Sequence, residues 1–410
     1  MYLGIDFGTS NSAMAVSDGT GAESVRFADG KVLQRTVIFA PHGGPPLVYG
    51  NEGIERYYGT DMEGRLMQSL KSYLPSSLDY VQLVGARVRL EDLVTLFLRY
   101  LRDAAREATG ETFDRAVLGR PVVFSADPEK DARAAARLRA AALAAGFRAI
   151  AFQYEPIAAA LAYERTVTTD EIVLVGDLGG GTSDFAVVRV GPGRGLRDRA
   201  KDVLAVGGVP VAGNAFDSAV MREVLLPWFG KGALFSLAAE LPSTDWSPSL
   251  LQEVVDLWHI PMLKDRQTED YLTRMRARVS DPVAVGRLHD LIFKDLGFYL
   301  AQEIEATKIA LSTETEARLR FRDIDLALTR AEFERVTTGP REAIRVAMED
   351  ALARAGLAPG DVSRVFLTGG TSQIPSVRRV FEERFARVEA GDVFTSVAQG
   401  LALSWPLLET

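Results

Sequence analysis

Two stretches of this chain repeat one arrangement, an aspartate followed by glycines with Thr and Ser, set between two apolar runs. The first is YLGIDFGTSNSAMAV at 2–16 and the second IVLVGDLGGGTSDFAVVRV at 172–190. Apolar runs flanking a cluster of turn formers predict a two-stranded hairpin with a polar tip in each case. A repeat of this kind predicts a chain built in two similar halves. Gly179, Gly180 and Gly181 would weaken an ordinary hairpin through their backbone entropy, so the loop keeps them where something must approach a bare backbone. Successive N–H groups and the hydroxyls of Thr9, Ser10 and Thr182 can converge on phosphate oxygens, and two facing loops, 6–10 and 177–184, can grip one polyphosphate. One such turn alone is equally a tight β-turn. The second copy with its triple glycine favours phosphate. Asp6 and Asp177 end the first strand of each copy. There they can hold waters of a Mg²⁺ ion, which keeps much of its hydration shell, or cap the turns as Asx side chains.

Between the copies, 91–109 and 129–146 carry apolar residues at helical spacing, the second rich in alanine. A third glycine turn lies in VFLTGGTSQIPSVRRVFEERF at 365–385, between an apolar strand and a helix opened by Pro375. Strands and helices thus alternate, which predicts an α/β protein. The stretch 225–300 differs: Pro, Trp and Asp punctuate short helical pieces around LPSTDWSPS, as in an insertion packed on a lobe. Packing inside that insertion is the expected role of Trp228, Trp246 and Trp258.

At 410 residues, 47% of them apolar and 25% charged, the chain suits two soluble lobes, each able to bury its own core. No run approaches the roughly 20 apolar residues of a membrane-spanning helix. The N-terminus lacks the pattern of a secretory signal and there is no cysteine, so a cytoplasmic location is expected. A net charge of −8 without a basic block argues against a nucleic-acid partner. His42, His259 and His289 have no metal-ligand spacing, and the run from 189, RVGPGRGLRDRAKD, reads as a solvated hairpin loop.

The two glycine loops, FQYEPIAAALAYE at 152–164 and LTGGTSQIP at 367–375 resemble the four diagnostic stretches of the DnaK-type heat-shock chaperones, in order and spacing. The resemblance spans nearly the whole chain and is nearest to the short YegD-like members, which lack the peptide-binding half. It implies the actin-like ATPase fold: two lobes, each a mixed β-sheet flanked by helices around a duplicated ribonuclease H-like core, with the nucleotide in the cleft between them. Lobe I would be 1–166, with an upper subdomain at about 36–109, completed by 390–410. Lobe II would be 167–389, with an insertion-bearing upper subdomain at about 212–335.

Carried over by position, the resemblance makes ATP or ADP with Mg²⁺ the ligand. Thr9 and Ser10 become ligands of the β- and γ-phosphates, with Gly8 and Asn11 beside them, and Thr182 joins Gly179, Gly180 and Gly181 at the γ-phosphate. Asp6 and Asp177 would organise the metal through water. Lys71, in SLKSYL, matches a lysine that reaches the γ-phosphate; by its own sequence it reads first as a solvated surface lysine. Only eight lysines occur in an arginine-rich chain, so one kept there suits a compact point charge. Glu155 precedes the helix opened by Pro156, where it can position a water or simply favour the helix dipole. Gly213, Asn214, Glu305, Lys308, Ser312, Gly369, Gly370 and Thr371 match nucleotide-contacting positions. Where the family sandwiches adenine between two arginines, this chain has Ile309 and Gln373, and Phe394 stands at an acidic position of the closing segment.

The expected activity is a weak ATPase acting as a nucleotide-driven two-lobe switch, monomeric, with a protein partner reached through 225–300. Rival readings on the same fold are a sugar or carboxylate kinase, a filament-forming bacterial actin and a nucleotide sensor that does not hydrolyse.

Overall fold

The computed structural model describes every residue except 45, 61–62, 78, 84–85, 193–198, 237–242, 247, 392–394 and 409–410. Two compact units emerge: Met1–Gly213 with Arg341–Thr410, and Asn214–Pro340.

Two large sheets of the first unit share one five-strand topology, beside smaller sheets formed by strands within 37–68 and 80–89; a short strand, Leu33–Arg35, also pairs with the second strand of the first large sheet. In the first sheet β1 (Tyr2–Phe7) pairs antiparallel with β2 (Asn11–Ser17), and β2 with β3 (Ala22–Ser24). On its other side β1 runs parallel to β4 (Arg115–Arg120), which runs parallel to β5 (Ala149–Tyr154). The second sheet repeats this. Antiparallel pairs join β6 (Glu171–Leu178) to β7 (Ser183–Val190) and β7 to β8 (Val203–Val209), while β6 runs parallel to β9 (Arg364–Thr368) and β9 to β10 (Val388–Ala390). Spatial order is therefore β3-β2-β1-β4-β5 and β8-β7-β6-β9-β10. The two glycine hairpins expected from the repeat occupy equivalent places in the two sheets.

Apolar residues on successive positions of β6 and β7, such as Val173, Leu174, Val175 and Phe185 to Val188, are all buried, as in strands covered on both faces. The covering helices cross over. Helix α3 (Glu155–Glu164) continues directly from β5 of the first sheet yet packs on β6 and β7 of the second. Helix α4 (Ser396–Leu408) follows the second sheet and packs on β1, β2 and β4 of the first, and α3 and α4 pack on each other. Small residues make this possible: Ala13, Ala15, Ala398 and Ala402 form one buried cluster. A Cβ on Gly4 would fall 2.3 Å from the Ala402 nitrogen, and one on Gly400 only 1.7 Å from the Ala158 carbonyl oxygen. On the flank, α1 (Leu90–Thr109) buries Leu90, Leu93, Val94, Phe97, Leu98 and Leu101, the spacing of one helical face, and stops at Gly110 with φ +74°. Against it packs α2 (Pro128–Ala144), capped by Asp127 accepting from the Glu129 and Lys130 nitrogens.

The Asn214–Pro340 unit contains helices Arg266–Arg276, Pro282–Phe293 and Gly297–Thr313 and the hairpin Glu316–Phe321 with Ile324–Thr329. Asp265 and Asp281 cap the first two helices, accepting from the Thr268 and Ala284 nitrogens. Trp246 is buried and donates its indole N–H to the Tyr271 hydroxyl at 3.1 Å; Trp228 is partly exposed beneath Arg287. Among the described residues no helix is long and apolar enough to cross a membrane.

The crossing at Gly400 gives a direct test. Gly400→Ala drives a methyl into backbone and is expected to cost at least about 1–3 kcal/mol. Gly59→Ala, at a helical position with open space around it, changes stability by about 1 kcal/mol or less and favourably. Urea midpoints of the two variants check the contrast.

Candidate functional site

The tips of the two hairpins face each other within the first unit. In the first turn a Cβ on Gly8 would lie 2.1 Å from the Asn11 carbonyl oxygen, so the tight path admits only glycine. In the second, the Gly179 N–H donates to the Thr182 carbonyl at 3.0 Å. The loops come together where Gly181 leaves room: a methyl there would sit 2.9 Å from Thr9 Oγ1. The third glycine turn supports the second loop from behind. Thr371 Oγ1 donates to the Gly179 carbonyl at 2.7 Å and the Gly213 N–H to the same oxygen at 3.3 Å. Gly369, with φ +80° and ψ 148°, adopts a backbone that is essentially glycine's alone, and its Cβ position is 2.2 Å from the Leu178 oxygen.

Together these loops enclose a cavity of about 90 Å³. Asp6, Gly8, Thr9, Ser10, Asn11, Lys71, Glu155, Asp177, Gly179, Gly180, Gly181, Thr182, Gly369 and Gly370 all line it. Water occupies roughly 30 Å³ in the liquid, and small-molecule pockets run to about 300–1,000 Å³, so the enclosed part is the size of a phosphate group with its water.

Lys71 and Glu155 are brought to its floor from distant parts of the sequence. Lys71 lies in the four-residue helix Leu70–Tyr73, entered through Ser69 at φ +52°, a left-handed backbone uncommon for serine. Glu155 is the first residue of α3, and Gly119 on β4 makes space for it, since a Cβ there would meet Glu155 Cγ and Oε1 at 3.0 Å. Lys71 Nζ donates to Glu155 Oε1 at 2.6 Å, with both side chains buried. Burial alone would lower the Lys71 pKa, but the negative charges of Glu155 and Asp6 outweigh it and hold the ammonium above its ordinary value.

Three further carboxyls surround this pair. Burial, reinforced by repulsion from Glu155, raises Asp6 well above the usual carboxylate range and pushes Asp177 up to about 7 and Asp184 to about 8. Asp177 accepts from Thr368 Oγ1 at 3.0 Å. Asp184 Oδ1 accepts from the Val122 N–H at 2.6 Å, and its Oδ2 is buried with no hydrogen-bond partner. Sequence reasoning gave Asp184 no role. The available signal was a carboxylate inside the otherwise apolar run SDFAVV, directly opposite Asp177 in the β6–β7 register; its counterpart opposite Asp6 is Ala13. Four carboxyls around one ammonium form a site short of positive charge, and an orphaned buried oxygen points the same way. That donor set fits a hydrated Mg²⁺. Among the described residues no three such side chains form a direct ligand set.

The remaining expected contacts, Asn214, Glu305, Lys308 and Ser312, belong to the Asn214–Pro340 unit. There Lys308 Nζ is held by Asp217, at 2.7 and 2.9 Å from its two oxygens, an ion pair across 91 residues of sequence. Ser312 Oγ donates back to the Lys308 carbonyl at 3.2 Å, and Glu305 accepts from Gln302 Nε2 at 3.1 Å. Ile309 is 62% exposed, and Gln373 is exposed on the third turn of the first unit. Phe394 lies outside the described residues.

Removing the buried ammonium should be costly. Lys71→Ala is expected to lose about 3–5 kcal/mol by leaving Glu155 uncompensated, and Lys71→Ala with Glu155→Gln less than the sum of the single changes, as read from denaturant titrations. The raised carboxyls also set a pH dependence. A carboxyl that stays protonated in the folded state favours folding at low pH, and that contribution is lost as pH rises from the ordinary carboxylate range to about 7 for Asp177 and about 8 for Asp184. Asp184→Asn should therefore raise the Tm of the nucleotide-free protein most at pH 8, less at pH 5 and little below pH 4.

Comparison with known families bears on the same residues. The model of the Hsp70 protein family matches residues 54–231 and 294–407. These segments include Lys71, Glu155, the second glycine loop, Lys308 and the third glycine turn, and they amount to more than half of the chain. The chain belongs to the Hsp70 family.

Proposed function

We propose that this protein binds Mg-ATP at the paired glycine loops, hydrolyses it slowly and uses the change of nucleotide state as a conformational switch. Family membership supports an ATP-binding, chaperone-like function. The observation that carries the finer reading is the Lys71–Glu155 pair, 2.6 Å apart, at the floor of a phosphate-sized cavity between two equivalent hairpins.

In this reading Lys71 and the hydroxyls of Thr9, Ser10 and Thr182 stabilise charge that develops on the terminal phosphate. Glu155 orients the attacking water, in line with the leaving oxygen. Asp6 and Asp177, joined by Asp184, hold hydrated Mg²⁺, which neutralises phosphate charge when bound. Gly369, Gly370 and Thr371, with Gly213, shape the floor under the nucleotide. On the nucleoside side, Asn214, Glu305, Lys308 and Ser312 contact ribose and base. Motif resemblance favours the short YegD-like type, with lobe I at 1–166 and 390–410 and lobe II at 167–389. ATP gains by bridging two lobes, which supplies the differential affinity a switch requires.

A second reading, a sensor that binds without hydrolysing, is favoured by one observation. Ile309 and Gln373 stand where the resemblance expects stacking arginines, and both are exposed. Loss of guanidinium stacking costs roughly 1 kcal/mol per face, so base selectivity is expected to be low.

Titration calorimetry with ATP and ADP in Mg²⁺, followed by ATPase assays, separates these readings. The expected result is binding of both nucleotides and turnover that Lys71→Ala reduces by about 100-fold or more. Binding without turnover establishes the sensor, and absence of binding at millimolar nucleotide refutes both.

A further inference from the structure

Far from the glycine loops in sequence, the Asn214–Pro340 unit contains a second and larger cavity, of about 760 Å³. Helices Arg266–Arg276 and Pro282–Phe293 supply part of its wall, and the turn between strands Glu316–Phe321 and Ile324–Thr329 supplies another. Its volume falls in the range of small-molecule sites, about 300–1,000 Å³. Most of its helical wall lies in 232–293, between the two segments matched by the family model.

The charge of this cavity is opposite to that of the chain. Four cations, Arg276, Arg287, Lys294 and Arg322, line it with two carboxylates, Asp290 and Asp323, although the whole chain carries −8. Both carboxylates are already engaged. Asp323 takes Arg287 through Nη2 at 2.6 Å and Nε at 3.0 Å, and Asp290 takes Lys294 at 2.7 Å. The side chains of Arg276 and Arg322 make no ion pair or hydrogen bond with a described residue. Asp323 also feels the charge of Arg322, yet four cations against two carboxylates leave a net positive charge in one concave place.

The local backbone supports both arginines in unusual ways. Arg322 is the first residue of a two-residue hairpin turn, closed by the pairing of Phe321 with Ile324, and has φ +53°. Gly or Asn normally fills such a position, and a long side chain there is strained. Arg276 lies against Gly286, where a Cβ would come within 3.2 Å of the guanidinium carbon; glycine lets the planar group lie on the helix. Between the charges, Phe321 and Leu296 are buried and give the cavity an apolar wall.

We propose that this cavity binds a small phosphate monoester with a flat apolar group, its phosphate held by Arg276 and Arg322 and its apolar part against Phe321 and Leu296. A phosphate monoester carries about −1.5 to −2 at neutral pH, which matches the net positive charge of the lining, and the planar forks of Arg276 and Arg322 fit phosphate oxygens in pairs. Arg287, fixed by Asp323, adds a preorganised edge.

The test is calorimetric titration of the full chain with phenyl phosphate, with phenol as the neutral control, in four proteins: wild type, Ser10→Ala, Arg276→Gln and Arg322→Gly. The expected result is binding of phenyl phosphate but not phenol by wild type and Ser10→Ala, weakened at least tenfold in Arg276→Gln and Arg322→Gly. Arg322→Gly should also raise the Tm, because glycine relieves the left-handed turn, so its loss of binding is not a loss of fold. Equal affinity in wild type and both arginine variants overturns the proposal, as does no binding in wild type. Binding weakened only by Ser10→Ala would place the anion in the glycine loops, overturning this site while leaving the nucleotide reading intact.

Discussion

One ammonium group, Lys71 Nζ, sits buried among four carboxyls, Glu155 and Asp184 buried with it and Asp6 and Asp177 half-buried at the cavity, and much of the first unit is arranged to keep it there. Its partner Glu155 opens α3, so the register of that helix on the second sheet fixes where the charge pair lies. Gly119 clears the space for Glu155, and the left-handed Ser69 turns the chain into the short helix that carries Lys71. Burial of a charge is unfavourable unless it is paired. The pair therefore ties the floor of the cavity to two elements 84 residues apart, and Asp6, Asp177 and Asp184 respond by holding protons that a cation could replace. Electrostatics of this kind are a property of the fold rather than of any one loop, and the proposed anion and metal site depends on them.

Duplication explains how two loops come to face one another. Asp6 and Asp177 are each the next-to-last residue of the first strand of equivalent hairpins, and equivalent strands of both sheets run parallel to the next pair. The copies have diverged where their tasks differ. Opposite Asp6 stands Ala13, and opposite Asp177 stands Asp184, so the second hairpin brings an extra carboxyl and three glycines while the first brings adjacent hydroxyls.

The hairpins, the helices at 91–109 and 129–146 and the third glycine turn were legible because each rests on local pattern: apolar runs around a turn, helical spacing, a proline at a helix start. Lys71 and Glu155 could be named as candidates but not joined, since nothing in either stretch states a contact across 84 residues. Lys308 is similar; its partner Asp217 lies 91 residues away on another helix. Asp184 was passed over because it looks like an ordinary polar residue of a strand until the register places it opposite Asp177. The stretch 225–300 read as irregular because its helices are short and capped by aspartates, and the cavity they wall depends on a hairpin turn outside that stretch.

The crossing of α3 and α4 also bears on how the chain acquires its structure. The face of β1 and β2 made by Gly4, Ala13 and Ala15 is covered by Ala398 and Ala402, almost the full length of the chain away. During synthesis the first sheet must therefore wait, with an apolar face open to water, until residue 400 or so has been made. Contacts of such long range slow folding and expose intermediates to aggregation. A protein of a chaperone family is in this respect built as a demanding client.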